Sequence, residues 1–322
     1  MKILVTGGCG YVGTILIPKL LKDGHNIISV DTKWFGDYLP KHNRLKNIKS
    51  DVSNIKNLNI SKVDCCIHLA SIANDPMVEL DKSLSWETSA LNTFSLMEFL
   101  KSIKSKRIIY ASSGSVYGIS KKNNVTEKTP LKPISLYNKV KMVTERIILS
   151  YSSSIETFII RPATVCGYSP RMRLDLTVNA LTFSALKNRE IKVFGGKQVR
   201  PNIHIDDMCE IYRFFLKVNK KFSGIYNAGF QNKSILDIAK FVQKIIPSKI
   251  SILTDRSDPR SYRLDSTKII NAGFKPKKNF CDAVNELNEK YTKGILKEKA
   301  NFHSLKWLKK IIKKNYSLSK KI

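Results

Sequence analysis

Short β-branched apolar runs alternate with longer stretches of helical periodicity through the first half of the chain. Residues 3–6 form the first run, residues 12–22 carry a helical pattern stopped by Gly24, and residues 26–30 form a second run. Apolar runs at 62–69, 107–111 and 157–160 follow, separated by helical patterns over 84–103 and 135–150. Strands that are apolar throughout are buried on both faces, and strands joined by helices run parallel. With right-handed crossovers, the pattern predicts an α/β fold built on a doubly wound parallel sheet.

Past Arg161 the pattern loosens. A loop rich in Pro and Arg (168–175) leads to a helix, a short strand at 191–194, the turn Gly195-Gly196 and a strand at 202–205. Later helices are expected near Asp206, near Ser234 with Asp237 placed to complete a capping box, and near Phe280. The division predicted is a Rossmann-type domain over 1–165 that returns near 197–228, a smaller α/β substrate lobe over 166–300, and a basic tail over 301–322. The groove between the two lobes is the expected substrate site.

At 322 residues the chain can bury a substantial core. No uncharged apolar stretch approaches the roughly 18 residues of a membrane span, and the start MKILVTGG is not a secretory leader. The expectation is a soluble, cytoplasmic protein. Cys9, Cys65, Cys66, Cys166, Cys209 and Cys281 form no CxxC pair, so reduced thiols and no metal site are expected. A net charge of +30 favours anionic partners. Yet lysines are spread over nearly every polar segment, which reads as compositional bias, and nucleic acid is not the expected partner. Residues 303–322 differ, with seven lysines and no acids around Leu305, Trp307, Leu308, Ile311 and Ile312 at helical spacing. That pattern allows a basic amphipathic helix with weak affinity for a membrane surface, or a solvated terminal helix.

Gly7, Gly10 and Gly13 follow the first strand and open the first helix. Gly7 permits the tight turn, Gly10 lets backbone approach a pyrophosphate, and Gly13 lets helix and sheet pack closely. Tyr11 and Val12 then offer backbone N–H groups at a helix N-terminus. Asp31 ends the second strand, where a carboxylate suits the two ribose hydroxyls of NAD and repels a 2′-phosphate. Lys33 nearby keeps NADP as the alternative. Asp51 and Val52, at the end of an expected third strand, are placed to meet the adenine, and Leu69, Ala70 and Ser71, ending the fourth, to line the cofactor groove.

Tyr137 and Lys141 lie four apart on one helical face. An ammonium beside a phenol favours the phenolate; lowering a tyrosine pKa from about 10 toward 7 takes roughly 4 kcal/mol. Tyr137 could then remove a hydroxyl proton while hydride leaves the same carbon. The strand at 107–111 ends in Ser112-Ser113-Gly114-Ser115-Val116-Tyr117-Gly118, which places hydroxyls at the crevice where such sheets bind ligands.

Together TGxxGxxG, Asp31, His68-Leu69-Ala70, SSGSVYG, YxxxK and Arg161-Pro162 resemble the extended short-chain dehydrogenase/reductase family, in its nucleotide-sugar epimerase/dehydratase branch. The likeness runs from Met1 to about Glu298. It implies Ser113 as catalytic hydroxyl, Tyr137 as base, Lys141 as its partner, and a homodimer through helices 84–103 and 137–150. It also implies a cofactor site completed by Ala111, Tyr137, Lys141, Arg161 and Thr164. The implied substrate is a nucleoside-diphosphate sugar oxidised at C4. Arg200 and either Arg256 or Arg260 fit a diphosphate. The run Tyr168 to Leu176 looks like a subgroup in cell-surface polysaccharide clusters, adding Arg171, Arg173 and Asn179 as substrate candidates.

Departures narrow the choice. Gly114-Ser115 replaces the Asp-Glu pair of sugar 4,6-dehydratases, and Ser115 stands where the enzymes making GDP-fucose carry cysteine. Ser89 and Thr164 each replace a frequent Asn. The reading is an NAD-dependent nucleotide-sugar epimerase or dehydrogenase. Its rivals are a 4-keto-sugar reductase using NAD(P)H and a noncatalytic relative that binds RNA or membranes.

Overall fold

In the computed structural model, which describes residues 1–119, 124–253 and 261–319, the strands in chain order are β1 (Lys2–Thr6), β2 (Asn26–Asp31), β3 (Leu45–Lys49), β4 (Cys65–His68), β5 (Arg107–Ala111), β6 (Glu156–Pro162), β7 (Thr164–Cys166), β8 (Glu190–Phe194), β9 (Val199–His204), β10 (Gly224–Ala228), β11 (Gln231–Ser234) and β12 (Lys249–Leu253). Seven of them form one sheet in the order β10-β6-β5-β4-β1-β2-β3, every neighbouring pair parallel. This is the doubly wound sheet expected. Chain order reverses at β1, whose neighbours are β2 and β4, and that switch point is where such sheets bind ligands.

The two faces carry separate cores. One packs Leu16, Ile17 and Leu20 of helix Gly13–Lys22 and Tyr212 and Phe215 of helix Ile205–Phe215 against Ile3, Val5 and Phe158. The other packs Leu96, Met97 and Leu100 of helix Asn92–Ser102 and Ile148 of helix Leu136–Leu149 against Leu4, Ile108 and Ile159. Alternate residues of each strand therefore enter different cores, as a sheet covered on both sides requires.

The second lobe holds two small sheets, β11-β9-β7 and β12-β8. Helices Thr177–Asn188, Ile235–Ile245 and Phe280–Thr292 enclose its core through Val178, Ala185, Ile238, Val242 and Val284. The return to the main sheet is made by β10 alone, while β9 belongs to the small sheet. The strand expected at 202–205 ends at His204, because the imidazole Nδ1 accepts the Asp206 N–H at 3.1 Å and starts the next helix. Ser234 caps its helix by accepting the Asp237 N–H at 3.0 Å, and the capping box at Asn279 and Asp282 is complete.

The stretch expected as one helix over 84–103 has three parts. An α-turn at Lys82–Trp86 passes into a π-turn at Glu87–Leu91 and then into Asn92–Ser102. A π-turn shifts the helical register, a feature often placed beside functional sites. The Ser89 carbonyl it displaces accepts hydroxyls from Thr93 (2.5 Å) and Thr144 (3.2 Å).

The tail is no free appendage. Helix Ser304–Ser319 folds back on the first domain, with Leu308 fully buried among Ile72, Met77 and Val78. Of the apolar stripe, Leu308 and Ile312 join this packing, whereas Leu305 is exposed. No described helix is long and apolar enough to cross a membrane.

Candidate active site

The turn after β1 is shaped by close approach. Gly7 has φ +74° and donates its N–H to Val30 O at 2.8 Å; a Cβ there would lie 2.6 Å from Ala70 N. At Gly13 a Cβ would lie 2.4 Å from Gly8 O, so the helix packs on its own turn only with glycine. Gly7 makes the tight turn its spacing predicted, whereas the close approach at Gly13 is to the turn at Gly8 and not to the sheet. The groove that Gly7 borders also takes in Gly10, Asp31, Asp51, Val52, Leu69, Ala70 and Ser71.

The Asp31 carboxylate accepts the N–H groups of Cys9 (2.9 Å) and Lys33 (2.6 Å), which hold it at the groove wall. Burial raises its pKa from the usual carboxylate value, while those two hydrogen bonds work the other way. Each oxygen keeps acceptor capacity for a ribose hydroxyl. Lys33, considered for a 2′-phosphate, is ion-paired with Asp37 at 2.7 Å. The donor set therefore fits NAD. Asp51 caps the turn Val52–Asn57 through the Ser53 N–H (2.8 Å) and accepts Asn92 Nδ2 at 2.8 Å. His68 stays neutral beneath the strand ends: burial lowers its pKa to about 3, and its ring nitrogens meet Thr6 Oγ1 (2.6 Å) and Thr93 Oγ1 (2.8 Å).

At the chemical end, the Lys141 ammonium donates to Ala111 O at 2.8 Å and stands 5.9 Å from the Tyr137 ring centre. Ala111 ends β5, so helix Leu136–Leu149 is tied to the strand that leads to Ser113. Burial pushes Lys141 down to about 7, although Glu145 one turn on opposes the shift. Ser113 Oγ shares a 2.7 Å hydrogen bond with Ser115 Oγ and accepts the Ser115 N–H at 3.2 Å. Both hydroxyls are thereby oriented at the start of the short turn Gly114–Tyr117.

A family model described as the NAD dependent epimerase/dehydratase family matches residues 3–229. The chain belongs to that family. UDP-glucose 4-epimerase of Lactobacillus helveticus is 28% identical over 315 residues, covering 88% of this chain and 94% of its own. The structure of UDP-glucuronic acid 4-epimerase from Bacillus cereus, in complex with UDP-glucuronic acid and NAD, is 26% identical with a TM-score of 0.78, over 90% of this chain and 100% of that one. UDP-glucose 4-epimerase of Thermotoga maritima shares the fold, with a TM-score of 0.83 at 23% identity, over 92% of this chain and 100% of that one. This protein is accordingly an NAD-dependent enzyme of the epimerase/dehydratase type.

Several residues expected at the site of this family member are engaged in holding the scaffold. Arg161, expected beside the cofactor, is 3% exposed; its Nε and Nη2 grip Glu145 at 2.9 and 2.6 Å, and Nη1 donates to Tyr117 OH at 2.8 Å. Tyr11 was expected to offer its backbone N–H to the cofactor; its side chain donates to Gly167 O at 2.6 Å. Asn179, expected to meet substrate, is fully buried; it accepts the Gly167 N–H and donates to Tyr11 OH and Arg173 O, each at 3.0 Å. These three side chains join the lobes or the layers, a buried amide or guanidinium needing all its partners.

The other substrate candidates are dispersed. Arg173 pairs with Asp175 and reaches Ala73 O at 3.3 Å, in the loop that follows β4. Arg171 is 3% exposed and stacks 4.3 Å over Phe35, toward the cofactor groove. Arg200 is half-buried on β9, and Arg256 and Arg260 lie outside the described residues; Thr164, expected at the cofactor, is half-buried on β7. Thr88, Asn92 and the pair Trp34-Phe35 line the groove without having been singled out from sequence. Two adjacent aromatics three and four residues past Asp31 were a legible signal; Asn92 was not, because the π-turn sets its direction. Among the described residues no group of three or more His, Cys, Asp or Glu could hold a metal, and the six cysteines are free thiols.

Proposed function

We propose that this enzyme oxidises the C4 hydroxyl of a nucleoside-diphosphate sugar to a ketone and restores it with inverted configuration, as a 4-epimerase. The observation that carries the reading is Lys141, held at Ala111 O beneath Tyr137 at the end of β5. Tyr137 acts as the base: its phenolate takes the C4 hydroxyl proton and returns one to the ketone oxygen later. Lys141 favours the phenolate by charge, and a pKa of about 7 lets it trade a proton near neutrality. Ser113 Oγ, oriented by Ser115, donates to the sugar oxygen as its proton leaves. NAD, held along Gly7, Gly10 and Asp31, would supply the hydride acceptor for the oxidation and the hydride donor for the return. Arg173 beside Ala73 is the candidate for the substrate diphosphate. The Tyr168 to Leu176 run supports a role in cell-surface polysaccharide synthesis.

A homodimer is part of this reading. Leu91 and Phe94 are 60% and 52% exposed on adjoining turns, an apolar surface that suits a two-fold pairing of these helices. Sedimentation should give a dimer, and Phe94→Glu should give a monomer.

The function is tested with NAD and a panel of UDP-, GDP-, CDP- and dTDP-sugars, heptoses included, followed by product NMR and NADH absorbance. A C4-inverted sugar without net NADH supports the proposal. Stoichiometric NADH with a released ketone would make the enzyme a dehydrogenase, and consumption of added NAD(P)H by a 4-keto sugar would make it a reductase. Tyr137→Phe turning over at the wild-type rate would remove the mechanism.

A further inference from the structure

The dinucleotide groove has a wall that comes from the far end of the chain. Leu308 borders the same groove as Gly7, Asp31 and Asp51, although some 250 residues or more separate it from them. It is 0% exposed, and Trp34, Phe35 and Tyr137 pack around the cluster it forms with Ile72 and Met77. The cluster thus runs from the adenosine side of the groove, at Trp34, to the chemical end, at Tyr137.

Two polar clamps hold the helix in this position. Trp307 Nε1 donates to Trp34 O at 2.7 Å. Ser304 Oγ accepts Arg171 Nη2 at 3.0 Å and donates to Asp175 Oδ1 at 3.2 Å. Arg171 itself is incompletely served, since its buried Nε has no hydrogen-bond partner. The attachment is slender in apolar terms. Of the described helix side chains, Leu308 alone among the apolar ones is fully buried, with Trp307, Ile311 and Ile312 half-buried; Lys306, Lys309, Lys310, Lys313 and Lys314 are exposed. A segment with few buried apolar contacts can open while the sheet beneath stays folded.

We propose that helix Ser304–Ser319 is part of the NAD site and works as its latch, with Leu308 closing the groove and Trp307 and Ser304 fastening it. A dinucleotide held by Gly10 and Asp31 lies behind this wall, so it exchanges only when the helix lifts. Binding and latching are then linked: each stabilises the other by the same factor. The consequence is slow cofactor exchange, which suits a reaction that reduces and reoxidises one NAD molecule within each turnover. The inference depends on NAD being the cofactor and is independent of which sugar is the substrate.

The test uses the full chain. NADH is bound, chased with excess NAD, and its dissociation followed by NADH fluorescence in wild type, Leu308→Ala and Trp307→Phe. In parallel, amide hydrogen exchange over 304–314 is measured with and without NAD. Dissociation faster by about ten-fold or more in Leu308→Ala and by about three-fold or more in Trp307→Phe, with NAD slowing exchange over 304–314, supports the latch. Wild-type dissociation rates in variants that keep the native circular dichroism, or exchange over 304–314 indifferent to NAD, would overturn it. If Leu308→Ala fails to fold, Trp307→Phe and the wild-type exchange experiment decide the matter.

Discussion

Arg161 and Glu145 meet through two parallel hydrogen bonds, Nε to Oε1 at 2.9 Å and Nη2 to Oε2 at 2.6 Å, with both side chains almost fully buried. The Ser112 hydroxyl donates to the same carboxylate. Glu145 lies one helical turn beyond Lys141 and two beyond Tyr137, on the same face. A fork anchored in β6 therefore sets the rotation of the helix that carries Tyr137 and Lys141, so a pair remote from the groove governs its chemical end.

Removing one partner of this pair strands the other in the interior. Glu145→Gln should destabilise the protein by about 3 kcal/mol or more, since a buried guanidinium then lacks its counter-charge. Replacing both, as Glu145→Met with Arg161→Met, should restore much of the loss. Urea denaturation of the two single variants and the double variant checks this, and a double variant less stable than either single one would contradict it.

Lys141 makes a pH prediction for the cofactor-free protein. Its pKa is lowered from 10.5 to about 7 in the fold, so between those values the unfolded chain binds a proton that the folded chain lacks. Stability must then rise with pH across that window. Compared with Lys141→Met, the wild type should gain stability between pH 7 and pH 9 in paired denaturation curves. The same variant should lose activity by about 10²-fold or more.

His68 works on the acid side. Burial lowers its pKa from 6.5 to about 3, so its neutral form is favoured by folding. The contribution is fully present above pH 6.5 and is lost as pH falls toward 3, amounting to a few kcal/mol. In His68→Gln, melting temperature should fall less steeply between pH 6 and pH 4 than in wild type. Parallel curves for the two proteins would refute the assignment.

Gly7→Ala introduces both a left-handed non-glycine residue and a methyl group 2.6 Å from Ala70 N. The β1–β4 switch point must widen to accept it. The expected outcome is loss of roughly 2 kcal/mol or more and little or no NAD retained on purification, measured by calorimetry and by nucleotide release on denaturation.

What could be foreseen from sequence was local. Gly7, Gly10 and Gly13 mark a strand-to-helix turn by spacing, Asp31 follows at a strand end, and Tyr137 and Lys141 share a face because an α-helix repeats every 3.6 residues. Strand β3, whose sequence LKNIK has two exposed residues and none fully buried, leaves no apolar run and was legible only as a third strand ending near Asp51 and Val52. The register shift at Glu87–Leu91 escaped the pattern, since the same residues are compatible with an unbroken α-helix.

By itself, then, the sequence determined the sheet, the glycine turn and the order of the chemical groups, all of which follow from backbone geometry over a few residues. Only the tertiary structure decided which polar side chains remain available. Tyr11 and Asn179 face each other across 168 residues to join the lobes, and Arg161 turns inward to Glu145. It also decided where the basic tail goes. Leu308 finds its burial beside Ile72 and Met77, because an apolar stripe is satisfied by whatever surface the fold brings to it, and that surface is the cofactor groove.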